Sequence, residues 1–373
     1  MEIVICGDLV PTESNKEKFE DKNFINYLDE KLKKIWMKSD YRIFNLECPL
    51  GEKLSPIDKS GPNLLANSKC INGIKSLDPS LILLSNNHIL DYGENGLQNT
   101  INILLENDIN YTGIVTNDRE IMEPMFIEDN NVKIGIYNLC ENEFSVATST
   151  TRGANPLNEI KNYKEIRKIK EECDYVVVIF HGGKEYYRYP SPNLQRICRN
   201  FIDFGADIVI TQHSHCIGCL EEYNNGKIIY GQGNFIFDGG KDEFWDTALI
   251  LKLVFDKDKF KIDYIPVEKE QGLIKISENE DIIKLFFERS EQIKNQEFIK
   301  KNYEEFANNN LNMYLNIMNK IRFYKKFLNR IFKRKFFLKT YNKVDCLRIL
   351  NIIECEAHRE LLICGLKSKI NKN

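Results

Sequence analysis

Tyr175-Val176-Val177-Val178-Ile179-Phe180-His181-Gly182-Gly183 is a run of six apolar residues that stops on a histidine and two glycines. No position in the run alternates to polar, so it predicts a strand covered on both faces. Forward of it, Leu194–Phe204 has helical spacing. Asp207–Thr211 is a second buried strand, ending in Gln212-His213-Ser214-His215. Backward, the same alternation runs to the start of the chain. Strands are predicted at Ile3–Cys6, Arg42–Leu46, Ser80–Leu84 and Val132–Asn138. Helices are predicted at Phe24–Trp36, Ser68–Leu77, Glu94–Glu106 and Ile160–Glu172. Buried strands separated by helices define an α/β body.

After residue 215 the rhythm changes. Gly218–Tyr223, Lys227–Tyr230, Ala248–Phe255 and Lys259–Pro266 read as strands, with Asn224-Asn225-Gly226 and Asp256-Lys257-Asp258 as hairpin turns. They predict a second, antiparallel sheet, and the body is expected to end near residue 272. Residues 279–373 contain no proline and almost no strand pattern. Glu280–Lys294, Phe298–Phe332 and Val344–Lys369 read as helices, so 273–373 is expected to be a helical C-terminal extension. There is no internal repeat.

At 373 residues the chain suits one large domain plus an appendage, and 42% apolar with 11% aromatic residues suffices for a core. A net charge of -3 argues against nucleic acid as the partner of the whole molecule. The eleven cysteines are odd in number, irregular in spacing and often inside apolar runs, which predicts reduced, buried thiols in a cytosolic protein. Met1-Glu2-Ile3-Val4-Ile5-Cys6 runs straight into a strand with no basic leader, and no stretch reaches the ~18 apolar residues of a spanning helix. A cytoplasmic location is therefore expected.

The chemistry lies where apolar runs end. Asp8 follows the first strand and Glu47 the second. Ser85-Asn86-Asn87-His88 follows the third, His181 ends the run quoted above, and His213 and His215 follow the next. Five strands, read as one sheet, thus deliver polar residues at their carboxyl ends, the edge at which α/β sheets bind ligands. Three imidazoles, two carboxylates and a carboxamide oxygen suit borderline divalent ions such as Mn²⁺, Zn²⁺ or Fe²⁺. Two such ions can share a carboxylate, lower the pKa of a water and clamp an in-line displacement. Taken singly, a histidine after a strand is more often a hydrogen-bonded structural residue. Four in register with two acids are hard to explain that way.

Gly7-Asp8, Asn45-Leu46-Glu47-Cys48-Pro49-Leu50, Asn86-Asn87-His88-Ile89-Leu90-Asp91-Tyr92-Gly93, His181-Gly182-Gly183-Lys184-Glu185-Tyr186, His213-Ser214-His215 and Gly233-Asn234-Phe235 resemble, in order over residues 1–270, the motifs of the CapA family. These are capsule or poly-γ-glutamate synthesis proteins related to calcineurin-like metallophosphoesterases. The resemblance implies a sandwich of two facing β-sheets flanked by helices, with two divalent metal ions at one edge. Asp8 and His215 would hold one ion, Asn87, His181 and His213 the other, and Glu47 would bridge. His88 would protonate the leaving oxygen, oriented by Asp91, with Glu185 and Asn234 nearby. Phosphoesterases of this kind usually open Asp-x-His, and position 10 here is Val10, so one ion is expected to lack an imidazole. The implied function is phosphoester hydrolysis on a phosphorylated or anionic glycan or polymer. Amide chemistry on poly-γ-glutamate and a non-catalytic place in a synthesis or export complex are the alternatives.

Three further features have two readings each. Cys216-x-x-Cys219 fits core thiols better than a zinc site, lacking a second pair. In Gly231-Gln232-Gly233-Asn234 the glycines fit a backbone turn beside the metals better than a phosphate cradle. Between Ala307 and Val344 there is no acid, and ten lysines and arginines from Lys320 to Lys343 interleave with aromatics. Such a segment either contacts an anionic membrane face or polyanion, or packs its rings on the body and exposes its charges.

Overall fold

The computed structural model describes residues 1–116, 122–129, 131–238, 243–270, 272–318 and 341–371. In chain order the strands are β1 (Glu2–Val10), β2 (Tyr41–Leu46), β3 (Leu81–Leu83), β4 (Tyr111–Thr112), β5 (Ile114–Val115), β6 (Met125–Asp129), β7 (Val132–Cys140) and β8 (Gly153–Ala154). They continue as β9 (Tyr175–His181), β10 (Ile208–Gln212), β11 (Ile217–Tyr223), β12 (Gly226–Gln232), β13 (Asn234–Phe237), β14 (Thr247–Phe255), β15 (Phe260–Glu270) and β16 (Leu273–Ile276). The helices are α1 (Lys16–Glu20), α2 (Glu30–Lys38), α3 (Ile71–Ser76), α4 (Gly93–Glu106), α5 (Glu159–Glu172), α6 (Pro192–Asp203), α7 (Glu243–Asp246), α8 (Glu280–Gln292), α9 (Gln296–Met318), α10 (Lys343–Glu354) and α11 (Glu356–Asn371).

Two sheets face each other. The first runs β16-β15-β14-β1-β2-β3-β4, with β13 also pairing with β1, and the second runs β11-β12-β10-β9-β7-β6. Strand alternation divides the core by face. Ile3 and Ile5 of β1 meet Val177 and Ile179 of β9 and Ile208 and Ile210 of β10 between the sheets. Val4 and Cys6 point outward onto Phe19, Leu32 and Trp36 of the flanking helices. Val176, Val178 and Phe180 point outward onto Ile166 of α5 and Phe201 of α6. Both faces of β9 are therefore apolar for a reason visible in its sequence. The fold class is the expected one: an α/β sandwich of two sheets flanked by helices.

Several finer expectations change. The strands that end in polar residues do not share one sheet, since β1, β2 and β3 belong to the first and β9 and β10 to the second. The later strands do not build a separate antiparallel sheet. The β14–β15 hairpin extends the first sheet beside β1, while β12 adds parallel to β10 and β11 closes that edge antiparallel. An edge strand needs only one partner, so a hairpin signal does not say which sheet it joins. The expected helix Phe24–Trp36 is split. Asp29 donates its N–H to Ile274 O at 2.8 Å and caps α2 by accepting from Leu32 N at 2.7 Å. The body also runs past 272, because β16 pairs with β15 and carries the first sheet to Ile276.

The segment beyond is helical where described, yet it is not detached. Ile293 and Ile299 enter the outer core of the second sheet, and Phe286 of α8 packs on Ile217 and Leu249. The expected single helix Val344–Lys369 breaks at Cys355, which is extended at φ -65°, ψ 125°. The break is tertiary in origin: the Glu356 carboxylate accepts from Asn142 N and Nδ2 at 2.9 and 2.8 Å. Of the basic aromatic stretch, residues 320–340 lie outside the described residues. No described helix is long and apolar enough to cross a membrane.

Candidate metal centre

The parallel strands β1, β2, β3, β9 and β10 present their carboxyl ends at one edge of the sandwich. In β1 the pairing register slips between Ile5 and Asp8, and after the slip Asp8 pairs with Asn45 of β2 and Asn234 of β13. Gly7 makes room there, since a Cβ would lie 2.0 Å from Gly233 O. Asn45 Nδ2 then donates to Asp8 Oδ1 at 2.7 Å, while Asn45 Oδ1 accepts from Asn86 Nδ2 at 3.0 Å. A ladder of amides thus fixes the loop that carries Asn87. On the second sheet, His213 and His215 both hold left-handed backbone, at φ 79° and 54°. For residues with a Cβ that conformation costs about 1–3 kcal/mol each and is typical of functional sites.

The side chains converge from both sheets. His181 Nε2 lies 3.1 Å from Asn87 Oδ1, 3.2 Å from Glu47 Oε1 and 3.2 Å from His213 Nδ1. One imidazole nitrogen carries at most one proton and cannot bond all three neighbours. Glu47 is fully buried, and neither of its oxygens has a hydrogen-bond partner. Its carboxylate belongs to two groups whose donor atoms lie within 4.8 Å of one another: Glu47, His181 and His213, and Asp8, Glu47 and His215. A buried carboxylate without a partner costs several kcal/mol. Donor atoms packed lone pair to lone pair around a shared carboxylate are compatible with divalent metal binding, with Glu47 common to both groups and Asn87 beside the first.

The electrostatics agree. Burial alone would raise the Asp8 carboxyl, but its hydrogen bond to His215 and the charges of His181 and His215 bring it below the ordinary range. Burial alone would lower His215, yet Glu47 and Asp8 outweigh it and push the imidazole up to about 10. Burial drives His213 well down, helped by His181 and His215, which keeps that ring neutral. The pocket therefore draws positive charge to its Asp8 side, where His215 must give up its proton before it can ligate an ion, and keeps a lone pair available on the other.

Of the remaining expected residues, His88 Nδ1 lies 2.7 Å from Asp91 Oδ2. Asn234 Oδ1 lies 2.8 Å from His215 Nδ1. Glu185 stands at the margin, half-buried, its carboxylate 3.6 Å from Lys184 Nζ. Val10 is buried and pairs in register with Phe237, so position 10 contributes packing and no donor. Cys216 and Cys219 are buried free thiols. Gly231 and Gly233 sit at φ 88° and 74°, and Ser214 Oγ and Thr247 O would crowd any Cβ there, so these glycines serve the turn.

Sequence reasoning missed four residues. Lys59, from an irregular loop, forms a buried ion pair with Asp91 and lies 3.1 Å from His88 Nδ1. Glu141 Oε1 lies 3.3 Å from His213 Nε2. Trp245 stacks on the His215 ring at 5.7 Å and 19°, with Phe237 edge-on to it. Only Glu141 carried a signal, as an acid just beyond the apolar strand β7.

A model of the bacterial capsule synthesis protein PGA_cap family matches residues 2–239, which include all six converging side chains. Capsule biosynthesis protein CapA of Bacillus anthracis is 30% identical over 243 residues, covering 63% of this chain and 59% of that one. PGA biosynthesis protein CapA of Bacillus subtilis strain 168 is 28% identical over 222 residues, 58% of each chain. The chain thus spans about three fifths of the length of these curated relatives. Among solved structures, a hypothetical protein of Thermus thermophilus aligns with TM-score 0.44 and 12% identity over 72% of this chain and 99% of that one. The 5'-nucleotidase of Candida albicans SC5314 aligns with TM-score 0.38 and 13% identity over 82% and 57%. Those two likenesses are distant, and the fold rests on the strand order above. With nearly two thirds of its length matched, the chain belongs to the bacterial capsule synthesis protein PGA_cap family.

Proposed function

We propose that the protein is a divalent-metal-dependent phosphoester hydrolase acting on a phosphorylated or anionic glycan or polymer precursor in capsule or poly-γ-glutamate synthesis. The observation that carries this is Glu47, a buried carboxylate with no hydrogen-bond partner, common to two groups of metal-binding side chains at one sheet edge. Ions held there would lower the pKa of a water and polarise phosphoryl oxygens. The rest falls to side chains of this protein. Asp91 accepts from His88 Nδ1, which fixes the ring and presents Nε2 outward. Lys59 holds the second Asp91 oxygen and fixes the carboxylate in place. As water oxygen bonds to phosphorus and the bond to the leaving oxygen breaks, His88 gives that oxygen its Nε2 proton. The proton lost by water leaves to solvent, from which His88 recovers its own. Trp245, Phe237 and Tyr186 wall the His215 side with rings, which suits a substrate with an apolar or sugar face next to its phosphate.

All eleven cysteines are free, which supports a reducing, cytoplasmic setting. Contact of the 320–343 segment with the inner membrane face is part of the proposal, carried by that segment's charge in the sequence. The test is release of inorganic phosphate from sugar phosphates, phospho-glycans and lipid-linked phosphates, with and without Mn²⁺. Metal-dependent release from at least one class is expected. A metal-loaded protein that hydrolyses none of them, but cleaves γ-glutamyl amides, would overturn the phosphoester reading.

A further inference from the structure

Among the described residues, one more set of metal-binding side chains comes together outside the centre. Glu143, Cys355 and His358 each offer a ligand atom, all within 4.8 Å of one another. They join distant parts of the chain: Glu143 follows β7, Cys355 is the break between α10 and α11, and His358 lies in the first turn of α11. The three-residue step from Cys355 to His358 puts both on one side of the helix start. Cys355 is fully buried, and the side chains of Glu143 and His358 are 10% and 19% exposed.

We propose that Glu143, Cys355 and His358 form a third cation site, for a thiophilic divalent ion such as Zn²⁺, at the seam between the α/β body and the C-terminal helices. Three independent observations point there. First, His358 is oriented as ligating histidines are. The Tyr314 hydroxyl engages Nδ1 at 2.6 Å, which leaves Nε2 facing Glu143 Oε1 at 3.9 Å. Second, that gap is too wide for a hydrogen bond. Ligands bound at ~2.0–2.3 Å in a tetrahedron stand roughly 3.3–3.8 Å apart, so the gap needs to close by only a few tenths of an ångström. Third, a second carboxyl group stands at the seam. Glu141 lies against the cluster, its Oε1 accepting from the Cys355 thiol at 3.6 Å. The site is independent of the proposed hydrolysis, although Glu141 also touches His213 and connects the two places.

The test is Co²⁺ loading of the full chain. Neither ligand group of the main centre contains cysteine, so a thiolate-to-cobalt charge-transfer band reports the seam alone. The native protein is expected to show that band. Cys355→Ser should lose it together with one equivalent of bound cobalt, and His358→Gln should weaken the same equivalent at least tenfold. Cys346→Ala, which removes the exposed thiol, should change nothing. The absence of the band in the native protein, or its survival in Cys355→Ser, would overturn the site. The native spectrum decides even if a variant fails to fold.

Discussion

Replacing Glu47 by glutamine tests the reasoning most directly, because the two ligand groups share this side chain. A cation at one hundred times its dissociation constant stabilises the folded state by ~2.7 kcal/mol, so two give ~5 kcal/mol. At ~2.1 cal/mol/K per residue the unfolding entropy of a 373-residue chain makes each kcal/mol worth roughly 1.3 °C. The native protein should therefore melt about 7 °C higher in Mn²⁺, at one hundred times its native dissociation constant, than in chelator. Asp8→Asn touches one group only and should keep about half of that shift. Glu47→Gln weakens both groups and should keep less than about 2 °C. Differential scanning calorimetry at fixed protein concentration reads all three, and circular dichroism in chelator checks that the variants fold. A Glu47→Gln shift as large as the native one would show that the carboxylate does not hold both ions, and a native shift near zero would sink the metal centre.

Other expectations follow from single contacts. His88→Asn should lower kcat by ~10²–10⁴ with metal content unchanged, and by least for esters with acidic leaving groups, as measured by steady-state kinetics across a leaving-group series. Lys59→Met strands the buried Asp91 carboxylate and should cost ~3–5 kcal/mol in urea denaturation. Burial lowers Lys269 from 10.5 to about 8, so between those values the unfolded chain binds more protons than the folded one. Stability should gain a rising component from pH 8 towards 10.5, and Lys269→Met should remove it. Ile179→Ala, between the sheets and two residues before His181, should cost ~2–5 kcal/mol and weaken metal binding, whereas Phe201→Ala on the outer helix should destabilise comparably and leave affinity intact by calorimetric titration.

The six converging side chains were legible because each follows an apolar run within a few residues, and a buried parallel strand fixes where its carboxyl end points. Glu141 obeys the same rule and escaped only because β7 was ended at Asn138, whereas pairing with β9 carries it to Cys140. Lys59 and Trp245 could not be found this way. Lys59 reaches the site through irregular backbone and Trp245 through the four-residue helix α7, and their placement depends on contacts distant in sequence, such as Leu64 N donating to Asp91 Oδ2. The break at Cys355 was invisible for a related reason. Local propensity favours continuing the helix, and only the tie from Glu356 to Asn142 interrupts it.

Assigning the strands to two sheets instead of one changes how the centre must work. Asp8, Glu47 and Asn87 come from the first sheet and all three imidazoles from the second. The carboxylate and carboxamide donors therefore face the imidazoles across the open edge of a sandwich. Each group of donor atoms draws on both sheets, so a bound cation would tie the two together where no hydrogen-bonded ladder does. That geometry explains why His213 and His215 hold costly left-handed backbone: it turns two rings from the end of one strand back across the gap. It also explains why Glu47 lacks a hydrogen-bond partner. A carboxylate already satisfied by amides of its own sheet would have little reason to reach the other.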